Sequence, residues 1–135
     1  MKKLLLLISL LLATNAWGAV KTLNCEIDEE YEDKENKVIE FKILIEINFD
    51  LELRNAEVTE STTLDDPIME YLSVLLVTPT KLTFTGIAQT DDGKDFNVQL
   101  TVNRQDLEIT YTEKETDNIY PVGKCQIVRA KKTLI

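Results

Sequence analysis

The chain contains no histidine, and the groups whose type and spacing could do chemistry are its carboxylates, its tyrosine hydroxyls and its two cysteines. The Ser-His-Asp triad, the Cys-His dyad and His-ligated zinc are thereby excluded. Between Glu26 and Glu40 stand eight acids: Glu26, Asp28, Glu29, Glu30, Glu32, Asp33, Glu35 and Glu40. Only Lys34 and Lys37 oppose them. Hard oxygen ligands in this number suit calcium. Their spacing does not. With Asp28 at the first position of an EF-hand loop, Asp33 falls where glycine belongs and Ile39 where the closing glutamate belongs. We expect no metal and no cofactor, and read Asp28, Glu29, Glu30, Glu32, Asp33 and Glu35 as an acidic interaction loop.

Two carboxylate pairs come next, Asp65-Asp66 before Pro67 and Asp91-Asp92 before Gly93. Paired acids can run acid–base or glycosidase chemistry if the fold splits their pKa values. Helix capping explains the first pair and turn formation the second. Tyr71, Tyr111 and Tyr120 are the other groups open to a carboxylate-based hydrolase, and no nucleophile–base pair accompanies them. Thr83, Thr85, Thr101, Thr110 and Thr112 fall on the outward positions of their respective strands, as expected of good strand residues on a wet face.

The compartment decides what the cysteines do. Lys2 and Lys3 precede ten apolar residues (LLLLISLLLA), and Ala16 and Gly18 follow as small residues around a cleavage point. This is the pattern of an export signal over residues 1–18. A ten-residue helix rises about 15 Å, half the bilayer core, so we expect no membrane span after cleavage. The mature domain, residues 19–135, then loses two lysines and Trp17, the chain's only tryptophan. Its formal charge moves from −9 to −11. In a periplasmic or extracellular setting, Cys25 and Cys125 read as a disulfide across 100 positions. No C-x-x-C spacing suggests redox catalysis.

The elements that must position these groups follow from period two. Ile39, Phe41, Ile43, Ile45, Ile47 and Phe49 alternate with polar residues, and a turn is expected between Asn48 and Asn55. The parity then shifts to Ala56 and Val58. Leu82 and Phe84, then Phe96 to Val102, then Leu107 to Tyr111 make a three-stranded meander, with a hairpin signal at Asp92-Gly93. Cys25 and Cys125 both fall on apolar parities. Residues 66–72 are expected to hold one short helical turn at most, with Asp66 as N-cap and Pro67 as first helical residue, before a strand ending at Pro79. With 44% hydrophobic and 29% charged residues, few glycines and no linker, one all-β domain is expected. It should be an antiparallel meander closing into a seven- or eight-stranded barrel, with a β-sandwich as the alternative.

The segments LNCEI, KLTFTG, FNVQLTVNRQDLEITYT and GKCQIV resemble, in layout, small exported bacterial β-proteins with one end-to-end disulfide. The two terminal cysteines are also similar to those of the periplasmic lysozyme inhibitors. Those families use a Ser-Gly…Tyr segment and a Trp-Lys-Gly segment at their inhibitory surface. This chain has no Ser-Gly pair and no tryptophan after residue 18, so no inhibitory residue transfers.

The charge excludes a nucleic-acid partner, because no basic patch exceeds Lys131-Lys132. It favours a basic protein partner by electrostatic steering. The expected function is therefore a non-catalytic binding module, monomeric, whose acidic surface meets a basic envelope protein. The alternatives are a lipocalin-like carrier of a small lipophilic ligand and, ranked last, the hydrolase.

Overall fold

The computed structural model describes residues 20–64, 68–90, 92–115 and 119–128. The export signal, Asp65 to Pro67, Asp91 and Lys131-Lys132 lie outside them.

Eight antiparallel strands follow one another around a closed barrel. They are β1 (Val20–Glu32), β2 (Val38–Asp50), β3 (Asn55–Thr62), β4 (Met69–Val77), β5 (Lys81–Gln89), β6 (Asp95–Asn103), β7 (Glu108–Glu113) and β8 (Gly123–Val128). Each strand pairs with its neighbour in sequence, and β8 returns to pair with β1. Closure pairs the strands around the ring on both sides over the body of the barrel.

The expected parities hold. Leu23, Cys25 and Ile27 of β1, Ile43 to Phe49 of β2, and Leu82 and Phe84 of β5 face inward. So do Val98, Leu100 and Val102 of β6. The largest fully buried side chains, Phe49 and Phe84, meet edge to face with centroids 5.7 Å apart. This barrel is filled by its own side chains over that part of its length, as expected for eight strands. Outward positions carry Glu26, Lys42, Glu46, Glu57 and Lys124, all exposed. An apolar inside and a charged outside invert the polarity of a membrane-spanning barrel.

One short helical turn at most is expected over residues 66–72, and the described part of them from Met69 onward is strand. Met69 to Leu72 belong to β4, and no helix occurs among the described residues. The sequence LSVLLV is apolar on both parities, which obscures period two. The pairing resolves it: Tyr71, Ser73 and Leu75 face in, while Leu72, Val74 and Leu76 stay exposed.

Cys25 and Cys125 lie directly opposite each other in the β1–β8 ladder and are joined by the expected disulfide. The ladder spans five residue pairs, whereas β7 and β8 share two. The bridge therefore fixes β8 through its longer seam. At Gly123 a Cβ would stand 2.3 Å from the Glu26 carbonyl oxygen, so only glycine lets β8 enter beside β1.

The two barrel ends differ. At one end Asp50 and Asn103 close tight turns. The Asp50 carboxylate accepts from the amides of Glu52 and Leu53 at 2.8 and 3.0 Å. The Asn103 side-chain oxygen accepts from the amide of Gln105 at 2.8 Å. Each turn ends on a left-handed residue, Arg54 (φ 58°) and Leu107 (φ 61°). At the other end the connections are longer, and β1 and β2 run on past their neighbours. Residues 29–32 and 38–41 have only each other as ladder partners and form a two-stranded ribbon.

Two outcomes follow for stability. Leu100→Asp is expected to cost more than about 4 kcal/mol in urea unfolding, and Gln99→Asp less than about 0.5, since only the first puts a charge in the core. Equal costs would mean the parity is wrong. Reducing the disulfide should lower the unfolding free energy by about 4 kcal/mol, because it frees a loop of 100 residues in the unfolded chain.

Candidate functional site

The inward parity of β3 runs Ala56, Val58, Glu60. The third of these is a carboxylate with 6% of its surface exposed, inside an apolar barrel. Burial without partners would be costly. Two tyrosines supply them. Tyr71 of the adjacent β4 donates its hydroxyl hydrogen to Oε2 of Glu60. Tyr111 of β7 donates to Oε1 at 2.8 Å. In the barrel order β3 and β7 are four strands apart in either direction, so Glu60 and Tyr111 reach each other across the lumen. The three side chains form a polar crossbar over the packed core.

Local backbone features make room for it. The β4–β5 ladder covers only Ser73 to Val77 against Leu82 to Gly86, so the seam opens above Ser73. A Cβ on Gly86 would lie 2.6 Å from the Leu72 carbonyl oxygen and 2.8 Å from the Tyr71 ring. Glycine there lets the ring lie against the β5 backbone and reach Glu60.

Above the crossbar the barrel opens into a mouth of about 700 Å³. Glu60 and Tyr111 form part of its floor, with Phe41, Ile43, Met69 and Phe96 as apolar wall. Glu70, Glu113 and Tyr120 also line it. The Tyr120 ring lies 4.6 Å from that of Tyr111, and its hydroxyl donates to Glu113 at 3.1 Å. Among the described residues no lysine or arginine lines it.

The electrostatics follow from burial. Loss of water pushes the Glu60 carboxyl up to about 7, and the negative charge of Glu113 adds to the shift. The two tyrosine hydrogen bonds oppose it. Burial, and then the charge of Glu60, raise both Tyr71 and Tyr111 far above the usual phenol range. Both hydroxyls stay protonated and can only donate to the carboxylate.

The acidic stretch predicted as a loop divides between strand and turn. Asp28, Glu29, Glu30 and Glu32 lie on β1, the last three in the ribbon that overhangs the mouth, and Asp33 and Glu35 lie in its turn. Asp28, Glu29, Glu30 and Glu40 line a cleft of about 680 Å³ that shares Phe41 with the mouth. Asp33 is engaged locally, accepting from the amides of Glu35 and Lys37 at 2.8 and 2.9 Å. Lys42 bridges Glu26 at 3.1 Å and Asp28 at 3.3 Å, and both acids raise its pKa. Tyr31 meets Phe41 edge to face at 5.9 Å and steadies the ribbon. Asp92 sits in the β5–β6 turn, where the Thr90 hydroxyl donates to it and holds its pKa down. Among the described residues no group of three His, Cys, Asp or Glu converges on a metal position.

Glu60 was not singled out from sequence, although Tyr71, Tyr111 and Tyr120 were. The signal was present in the parity of Ala56 and Val58, extended by one step. Comparison with protein-family models, curated proteins and solved structures returned no match. Among the described residues no helix is long and apolar enough to cross a membrane.

The Glu60 carboxyl has a stability consequence with a definite sign. Its pKa is raised from the ordinary 4.5 to about 7 in the folded protein. The folded state therefore holds an extra proton between those values. Its stabilising contribution is full below pH 4.5 and is lost as pH rises through 7. Relative to wild type, Glu60→Gln should gain about 3 kcal/mol of stability between pH 4 and pH 8, measured by urea unfolding at each pH. Parallel stability profiles would show that the carboxyl is hydrated.

Proposed function

We propose that this domain is an exported, non-catalytic binding module whose acidic barrel end receives a basic protein partner. One observation carries the reading. The β1–β2 ribbon and its base gather Asp28, Glu29, Glu30 and Glu40 beside a mouth lined by Glu60, Glu70 and Glu113. Acids placed at one end produce a directed field, which net charge spread evenly would not. A basic partner is drawn to that end, and its apolar stems find Phe41 and Phe96 there. The filled lumen below Glu60 supports this reading over the lipocalin-like carrier, because a lipophile needs depth that side chains already occupy. The disulfide fits an oxidising compartment, in keeping with the export signal.

A second reading has one observation in its favour. Glu60 titrates near neutrality in a concave site with other carboxylates, as a general acid or base does. It ranks below the first because both tyrosine hydroxyls beside Glu60 are held protonated, and the chain supplies no histidine to activate a nucleophile.

The test uses an immobilised lysine-rich basic protein and surface plasmon resonance at several salt concentrations. Affinity should fall with salt, as for exposed charge pairs. Reversing Glu30 and Glu32 to lysine should weaken binding by about tenfold or more. Reversing Glu52 and Glu57 to lysine, toward the opposite end, should change it about twofold at most. Equal losses in the two double variants would reduce the effect to net charge and end the proposal.

A further inference from the structure

The mouth holds a feature that an acidic rim does not require. Solvated carboxylates on the rim suffice to draw a basic protein over distance, yet Glu60 stands with almost no exposure at the bottom of a mouth whose wall is part apolar and part acidic. Its two oxygens each accept one tyrosine hydroxyl. A carboxylate offers roughly four lone-pair positions, so about half remain for a ligand. Among the described residues Glu60 lines the mouth above it, while the lumen beneath is filled by the core, so a ligand would approach from the mouth. Around the approach stand Phe41, Phe96, Met69 and the paired rings of Tyr111 and Tyr120. Aromatic faces and an apolar wall leading to a buried anion complement a cation carried on an apolar stem.

Resting on the reading of this end as the partner-binding face, we propose that the mouth is a pocket for one lysine side chain of the basic partner, whose ammonium group bonds Glu60 while its four-carbon stem lies along Phe41, Met69 and Phe96. Lysine fits better than arginine. A guanidinium binds carboxylates best through two parallel bonds to both oxygens. Here each oxygen already carries a tyrosine donor and keeps about one lone pair, so a guanidinium would have to meet both remaining positions at once. An ammonium needs only one remaining lone pair and brings a point charge on a flexible stem.

The arrangement ties binding to a proton. Glu60 is shared between its acid and its carboxylate near neutral pH. The arriving ammonium favours the carboxylate, so a proton leaves to solvent as the ion pair forms. The groups facing this event are Glu70 and Tyr71 from β4, Tyr111 and Glu113 from β7, and Tyr120 ahead of β8. The lining residues of β2, β5 and β6 carry no titratable group.

The experiment is calorimetric titration of the exported protein with pentalysine, in two buffers of different ionisation enthalpy. At pH 7 wild type should release about half a proton per peptide bound, and close to none at pH 8.5, where Glu60 is already ionised. Glu60→Gln should lose the release at pH 7 and bind about tenfold more weakly at pH 8.5, while keeping its salt dependence. Penta-arginine should bind through the rim with no comparable release. n-Butylammonium, the stem alone, should bind far more weakly than the peptide.

Several results would overturn the pocket. These are binding of pentalysine by wild type without proton release, equal release from penta-arginine, or butylammonium binding as tightly as the peptide. The last would make the mouth a small-amine site. Salt-sensitive binding without release would end the pocket and leave the acidic face standing. No binding of pentalysine at all would end both. The release is measured on wild type, so it does not depend on how the variant folds.

Discussion

A single buried carboxylate sets the terms for the upper half of this barrel. Glu60 faces an apolar lumen because β3 alternates, and nothing in its own strand can satisfy it. Its partners come from β4 and β7, so the carboxylate ties together strands that are not all neighbours. The packed core stops at this crossbar and the mouth begins above it. The open β4–β5 seam and the glycine at position 86 are the local conditions for Tyr71 to reach it. Removing the charge would leave two phenols in an apolar site with a weaker acceptor. Removing the phenols would leave a charge with none.

The lower half follows simpler rules. Period-two alternation puts branched and aromatic residues inside, and Asp50 and Asn103 pin the tight turns at that end. Each accepts amide hydrogens that the turn would otherwise leave unpaired. The disulfide joins the first and last strands where the ring must close. Rigidity at one end and longer connections at the other give the molecule a direction. The acids of the β1–β2 ribbon lie at the open end, held in strand by a ladder in which Glu29 faces Phe41, Tyr31 faces Ile39 and Glu32 faces Val38, despite the poor strand preference of Asp and Glu. Tertiary pairing outweighs local propensity there.

Much of this was legible in the residues. The parities of β2, β5, β6 and β7 needed only alternation, and the cysteine pair needed only parity and an oxidising compartment. Two features resisted for physical reasons. β4 has apolar residues on both faces, because Leu72, Val74 and Leu76 are exposed, so a periodicity argument had no contrast to work with. Glu60 reads as a surface residue by type, and its partners stand 11 and 51 positions away. A buried charge is recognised by what satisfies it, and here the satisfying groups are brought in by the barrel. The acidic stretch was found, but its shape was not. Eight acids in fifteen residues suggest a loop until the facing strand supplies Ile39 and Phe41.

The energetics explain why the carboxylate bears on function. At neutral pH burial works against the ionised form of Glu60, and the two tyrosines offset this only in part, since its pKa stays raised. A neutral amide of the same shape would avoid the penalty, and a leucine would extend the core. Packing alone therefore favours some other residue at this position. What a carboxylate adds is a charge in a site of low dielectric, where its attraction for a cation is far stronger than at the surface. The surface acids of the ribbon stand in water, where their field is screened by salt. Glu60 lies on β3 at the floor of the mouth, whereas the acids of the ribbon lie on β1 and β2. The fold thus separates one buried charge from a set of charges open to solvent and salt, and places them on different strands.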